Sequence, residues 1–117
     1  MAKILVVDDK YFVRFKLSAI LSKADYTVIE AENGEQAIRV YEREKPDVVL
    51  LDIIMPVLDG ISALKIIMEK NPDAKIVMLT SLSEQTIVDE TTALGAKETI
   101  FKPFDEKIIL ETLKKYI

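Results

Sequence analysis

The chain has 117 residues, half of them hydrophobic, which is enough for one domain to bury a core without disulfide or metal staples. It contains no cysteine and no histidine, which excludes a disulfide framework, a thiolate metal site, imidazole ligation, Ser-His-Asp catalysis and any phosphohistidine made on this chain itself. The net charge is −4 with lysines and acids interspersed rather than blocked, so no footprint for direct nucleic-acid binding is present.

Met1-Ala2-Lys3 leads at once into Ile4-Leu5-Val6-Val7, an apolar run too short for a signal-peptide core and ended by two aspartates. No run approaches the roughly 20 apolar residues needed to cross a bilayer, so a cytoplasmic protein without membrane insertion is expected. Ile4 to Val7 reads as a buried strand broken by Asp8-Asp9, and Val13, Leu17, Ile20 and Leu21 then recur at helical spacing. Tyr26 to Ala31 alternates more and suggests a strand at a sheet edge. Asn33-Gly34 predicts a turn before a helix carrying Ala37, Ile38 and Tyr41, which Pro46 closes.

Val48-Val49-Leu50-Leu51 is a strand buried on both faces, and it delivers Asp52 where the hydrophobic pattern breaks. Pro56 biases Met55 away from helix, and Asp59 is placed to cap a helix starting near Gly60, with Ile61, Leu64, Ile67 and Met68 as its apolar positions. Asn71-Pro72 stops that helix. Ile76 to Leu79 is a fourth strand ending in Thr80-Ser81. Glu84 to Leu94 reads as a helix with Ile87, Val88 and Leu94 inward and Gly95 as its stop. A short strand Thr99-Ile100-Phe101 and a closing helix marked by Ile108, Ile109, Leu110, Leu113 and Tyr116 complete the chain.

Strands alternating with helices predict an α/β doubly wound parallel sheet, because each crossover is right-handed and covers one face. The alternating second strand and the short last strand suit the two edges, which is compatible with order 2-1-3-4-5 and a flavodoxin-like three-layer sandwich over residues 1–117.

Parallel strands present their C-terminal ends on one side, so Asp8 and Asp9, Asp52, Thr80 and Ser81, and Lys102 converge on one edge. Clustered carboxylates repel one another, and a hard cation with oxygen ligands keeps them ionised at least cost; Mg²⁺ is the expected ion. One carboxylate is then free to act as a nucleophile, with Lys102 and Thr80 holding the oxygens of a transferring phosphoryl group. Each residue also has an ordinary reading. Asp8 and Asp9 suit helix caps, Thr80 and Ser81 suit turns, and Lys102 could be a solvated lysine packed on Phe104. Convergence on one edge is what separate ordinary roles do not predict.

The segments Val6-Val7-Asp8-Asp9, Leu51-Asp52-Ile53-Ile54-Met55-Pro56 with Asp59-Gly60, Leu79-Thr80-Ser81 and Phe101-Lys102-Pro103-Phe104 resemble, in order, those of the receiver domains of two-component response regulators. The resemblance spans essentially the whole chain. It implies that Asp52 accepts the phosphoryl group and that Asp9, Asp8 (partly through water), Asp52 and the backbone carbonyl of Ile54 hold Mg²⁺. It also implies that Thr80 and Lys102 contact the phosphoryl oxygens, and that Lys102-Pro103 is cis. The donor must then be a phosphohistidine on a histidine kinase or histidine phosphotransfer protein, and a downstream protein partner reads the result. Such a module is not an enzyme toward other substrates, since it promotes only its own phosphorylation and dephosphorylation.

One position departs from the family pattern. Many receivers carry an aromatic residue three before the lysine, where this chain has Thr99, so a rotamer switch of a buried ring is not expected. Movement of Thr80 and of the Ser81 to Gln85 loop remains as a route to the output surface. With Val13, Leu17, Ile20 and Leu21 inward, Tyr11 and Phe15 face elsewhere beside the site and offer a docking patch for the donor.

Two other functions use part of the same constellation. A Mg²⁺-dependent phosphohydrolase of the haloacid-dehalogenase type also uses an aspartate nucleophile, but its paired acids are separated by one residue whereas Asp8 and Asp9 are adjacent. A flavodoxin-type flavin module needs a Ser/Thr/Gly-rich phosphate loop after the first strand, where Asp8-Asp9 would repel phosphate. A pseudo-receiver that acts by binding alone is a third possibility. No effector segment follows Ile117, so output is expected to rest with a partner, unless the chain is a receiver cut from a longer regulator.

Overall fold

A computed structural model describes residues 1–117. The elements run β1 (Lys3–Val7), α1 (Tyr11–Lys23), β2 (Thr27–Ala31), α2 (Gly34–Glu44), β3 (Val48–Leu51), α3 (Gly60–Lys70), β4 (Ile76–Thr80), α4 (Gln85–Ala93), β5 (Glu98–Phe101) and α5 (Glu106–Lys114). The five strands form one parallel sheet in the order β2-β1-β3-β4-β5, with the alternating and the short strand at its two edges as their patterns imply. No helix is long and apolar enough to cross a membrane.

The period-2 alternation of side chains splits the continuous apolar strands between two cores. Leu5, Val7, Val49, Leu51, Ile76 and Met78 face one side and pack with Ala37 and Tyr41 of α2 and Ala63, Leu64 and Ile67 of α3. Ile4, Val6, Val48, Leu50, Val77 and Leu79 face the other and pack with Val13, Leu17, Ile20 and Leu21 of α1 and Ile109 and Leu113 of α5. The central strands therefore have no wet face, which is why their sequences show no alternation.

Local chemistry sets the helix boundaries. Asp59 accepts the Ser62 N–H at 2.8 Å and caps α3 as its position predicts, and Asp105 does the same for α5 through Ile108. Gly95 follows α4 at φ +113, the left-handed conformation suited to a helix stop. Asn33-Gly34 differs from expectation: it is a cap rather than a turn, since Asn33 accepts the Gln36 N–H at 2.9 Å and Gly34 is already helical. In α4 the fully buried side chain is Thr91, whose hydroxyl donates back to the Ile87 carbonyl at 3.0 Å, while Ile87, Val88 and Leu94 are only half-buried. A helix over the sheet's edge has less surface to cover, so its apolar positions remain partly wet.

Candidate functional site

The parallel register builds the site. Val7 pairs with Leu51, so β1 and β3 end level and pass directly into Asp8 and Asp52 side by side, tied by the Asp52 N–H donating to the Val7 carbonyl at 3.0 Å. Thr80 pairs with Phe101, and the Lys102 N–H donates to the Thr80 carbonyl at 2.8 Å, which sets Lys102 at the same edge. Asp8, Asp52 and Thr80 are buried, at 1 %, 5 % and 1 % exposure. Asp9 is half-exposed, with its carboxylate 3.7 Å from the Lys10 ammonium.

Lys102 is not a solvated lysine. Its ammonium lies 2.6 Å from Asp8 Oδ2, 94 residues away in sequence, and 3.4 Å from Asp52 Oδ2, so one cation bridges two buried carboxylates. The other oxygens are also held: the Lys10 N–H donates to Asp8 Oδ1 at 2.9 Å, and the Ile53 N–H to Asp52 Oδ1 at 2.8 Å. Neither Asp8 nor Asp9 caps α1, because the capping position is Lys10 and no side chain closes that helix end. Thr80 Oγ1 accepts the Leu82 N–H at 3.1 Å, the ordinary turn role, and this leaves its O–H free to donate.

Carboxylate oxygens of Asp8, Asp9 and Asp52 lie within 4.8 Å of one another. An all-oxygen, anionic donor set of this kind fits a hard divalent cation. Ile54 sits in the same loop, and its carbonyl accepts no hydrogen bond within the chain. Burial pushes the Asp52 carboxyl above its ordinary value, against the downward pull of the Lys102 ammonium, and the Asp8 carboxylate raises it further. The ionised form is thus disfavoured by folding. Stability is lost as pH climbs from the ordinary carboxylate value through the raised one. Asp52→Asn is therefore expected to be more stable than the wild type at neutral pH, with the gap closing toward low pH, in urea unfolding without metal across that range.

The loop that carries Asp52 is gripped by backbone contacts invisible in residue chemistry. A Cβ at Gly60 would stand 1.9 Å from the Asp52 carbonyl oxygen, and the Gly60 N–H donates to the Ile53 carbonyl at 2.7 Å. A Cβ at Gly34 would stand 2.4 Å from the Leu58 carbonyl oxygen, which accepts the Gly34 N–H at 2.9 Å. Arg14 also serves the site unannounced, donating to the Asp8 carbonyl at 2.9 Å while pairing with Glu30.

A family model, response regulator receiver domain, matches residues 4–114. The chain belongs to this family. It is a phosphoryl-accepting signalling module of the two-component and phosphorelay type. The receiver is 46 % identical over 116 residues to protein CcdB of Bacillus subtilis, covering 98 % of this chain and 97 % of that one. It is 44 % identical to the chemotaxis protein CheY of Listeria monocytogenes, covering 98 % of each. Among solved structures it superposes on the response regulator TrrA of Thermotoga maritima, itself in complex with Mg²⁺ and a beryllium fluoride, with a TM-score of 0.92 at 36 % identity over the whole of both chains.

Two further positions bear on the output and on the donor. Thr99 pairs with Met78 in the sheet, and its hydroxyl is buried without a hydrogen-bond partner, so no ring stands there to turn. Tyr11 and Phe15 on α1 are 68 % and 62 % exposed with ring centroids 6.1 Å apart, on the helix flank away from the core as their spacing implies.

Proposed function

We propose that Asp52 is the phosphoacceptor of a single receiver domain spanning residues 1–117, taking the group from a phosphohistidine on another protein. The observation that carries this reading is the shared edge: three carboxylates, one bridging lysine and one buried hydroxyl brought together by strand register. An Asp52 carboxylate oxygen attacks phosphorus, the N–P bond to the donor imidazole breaks, and the imidazole leaves with the electron pair. Lys102, whose ammonium already reaches Asp52, pairs with the phosphoryl oxygens, and the Thr80 hydroxyl donates to one of them. Asp8, Asp9, Asp52 and the Ile54 carbonyl would hold Mg²⁺. When bound there, the cation offsets charge on the carboxylates and the phosphoryl oxygens.

The donor, a histidine kinase or histidine phosphotransfer protein, docks against Tyr11 and Phe15, which are exposed next to the acceptor. Movement of Thr80 toward the phosphoryl group releases the Leu82 N–H and shifts the Ser81 to Gln85 loop, changing the surface of the last two strands and helices that a downstream protein reads. Thr99 excludes a ring switch from this route.

The test is incubation with Mg²⁺ and acetyl phosphate followed by intact mass. A single labile phosphate adduct is expected, with no turnover of phosphomonoesters. Sustained hydrolysis of many phosphomonoesters would instead make the chain an aspartate-nucleophile phosphohydrolase, and the absence of any adduct would make it a pseudo-receiver acting by binding alone.

A further inference from the structure

Between the start of α1 and the β5–α5 connection lies a groove of about 450 Å³ that shares Lys102 with the acceptor site and otherwise has no part in the chemistry described above. Its apolar walls include Phe12, Phe104 and Pro103, and its lining also includes Lys10, Lys16 and Lys102. No acid lines it, although the chain as a whole carries a net charge of −4. Lys10 and Lys102 are paired with Asp9, Asp8 and Asp52 just outside the groove, which leaves Lys16 as its one cation without an acid partner. Lys16 places its ammonium 4.7 Å from the centroid of the Phe104 ring, so positive charge and aromatic surface are adjacent. Lys102 belongs to groove and acceptor alike, because its ammonium lies 3.4 Å from Asp52. Ser81, the residue after Thr80, also lines the groove.

A concave apolar wall set with cations recognises a flat apolar body that carries or develops negative charge. The acyl part of an aromatic acyl phosphate has this chemistry. Its ring is apolar, and its carboxylate appears as the phosphoryl group departs. We propose that the groove seats the acyl group of a small aromatic acyl phosphate, so that the receiver takes phosphoryl from such a donor in preference to a small aliphatic one and without a partner protein. The inference rests on Asp52 being the acceptor. In the step, an Asp52 carboxylate oxygen bonds to phosphorus, the P–O bond to the acyl oxygen breaks, and the arenecarboxylate leaves with the electron pair; no proton need move. Lys16 neutralises the departing carboxylate while Phe12 and Phe104 cover its ring.

The experiment measures second-order rates of adduct formation by intact mass with benzoyl phosphate and with acetyl phosphate, on the wild type, Phe12→Ser and Lys16→Ala. Phe12 is 69 % exposed and Lys16 is exposed, so both variants keep the fold. Benzoyl phosphate is expected to react about tenfold faster than acetyl phosphate on the wild type, and that ratio is expected to fall at least threefold in each variant while the acetyl phosphate rate stays within twofold. Comparing ratios between proteins removes the intrinsic reactivity of the two donors. The same ratio in all three proteins would overturn the groove. No adduct from either donor would overturn the acceptor reading beneath it, whereas normal acetyl phosphate labelling with no aromatic preference would overturn the groove alone.

Discussion

Gly60→Ala is expected to cost about 3 kcal/mol or more of folding stability, an effect out of proportion to one methyl group. The added carbon would stand 1.9 Å from the Asp52 carbonyl oxygen and 2.8 Å from both the Asp52 carbonyl carbon and the Ile53 Cα. All three atoms are backbone, so no side chain can swing away to make room. The helix start must move from the strand end or the Asp52 peptide must rotate. Either movement breaks the 2.7 Å bond from the Gly60 N–H to the Ile53 carbonyl. Because the same peptide orients the acceptor, the surviving folded fraction is also expected to accept phosphoryl more slowly. Urea unfolding of the two proteins reads the first effect directly. A loss below about 0.5 kcal/mol, the range of an unremarkable surface change, would show that the loop tolerates the carbon and that Gly60 is only a helix start.

Lys102→Met is expected to slow phosphoryl uptake from acetyl phosphate by about 10²- to 10³-fold, the usual loss when a preorganised charge on the transferring group is removed. The geometry gives Lys102 a second duty that complicates the result. Its ammonium is 2.6 Å from Asp8, whose carboxylate is almost wholly buried, so the substitution also strands a charge that the fold had paired. Breaking such a pair costs about 3 kcal/mol, and the Asp52 carboxyl, relieved of a neighbour that lowers its pKa, shifts further upward. The two duties separate by measurement. Uptake assayed at saturating Mg²⁺ on protein confirmed folded by circular dichroism reports the phosphoryl contact, and urea unfolding in chelator reports the pairing. Uptake within threefold of wild type, with stability reduced, would assign Lys102 to charge pairing alone.

Much of this site is visible in the sequence because parallel strands carry their chemistry at one end. Asp8, Asp52, Thr80 and Lys102 each stand where an aliphatic run breaks, and the register of Val7 with Leu51 and of Thr80 with Phe101 converts that pattern into contact. Asp59 is legible as a cap because capping depends on spacing of a few residues. What escapes is tertiary. The sequence shows Gly60 at a helix start, and nothing local tells that the Asp52-Ile53 backbone just past β3 lies within a carbon's width of it. The preference of Lys102 for Asp8 over Asp52, 2.6 Å against 3.4 Å, is set by side-chain reach across two strands. Helical spacing marks Ile87 and Val88 as inward, but α4 lies over the sheet's rim, and there Thr91 is the residue that becomes fully buried. Thr99 is legible by its place before Lys102, and the structure adds that its hydroxyl is buried without a hydrogen-bond partner.

The acceptor itself can be read chemically. An acyl phosphate on an aspartate is reduced by borohydride to homoserine, so treatment with acetyl phosphate and Mg²⁺, then borohydride, then peptide mapping marks the residue that carried the group. Homoserine is expected at position 52 alone, with no labelled peptide in Asp52→Asn. Homoserine at Asp8 or Asp9, or undiminished labelling of the Asp52→Asn protein, would contradict it.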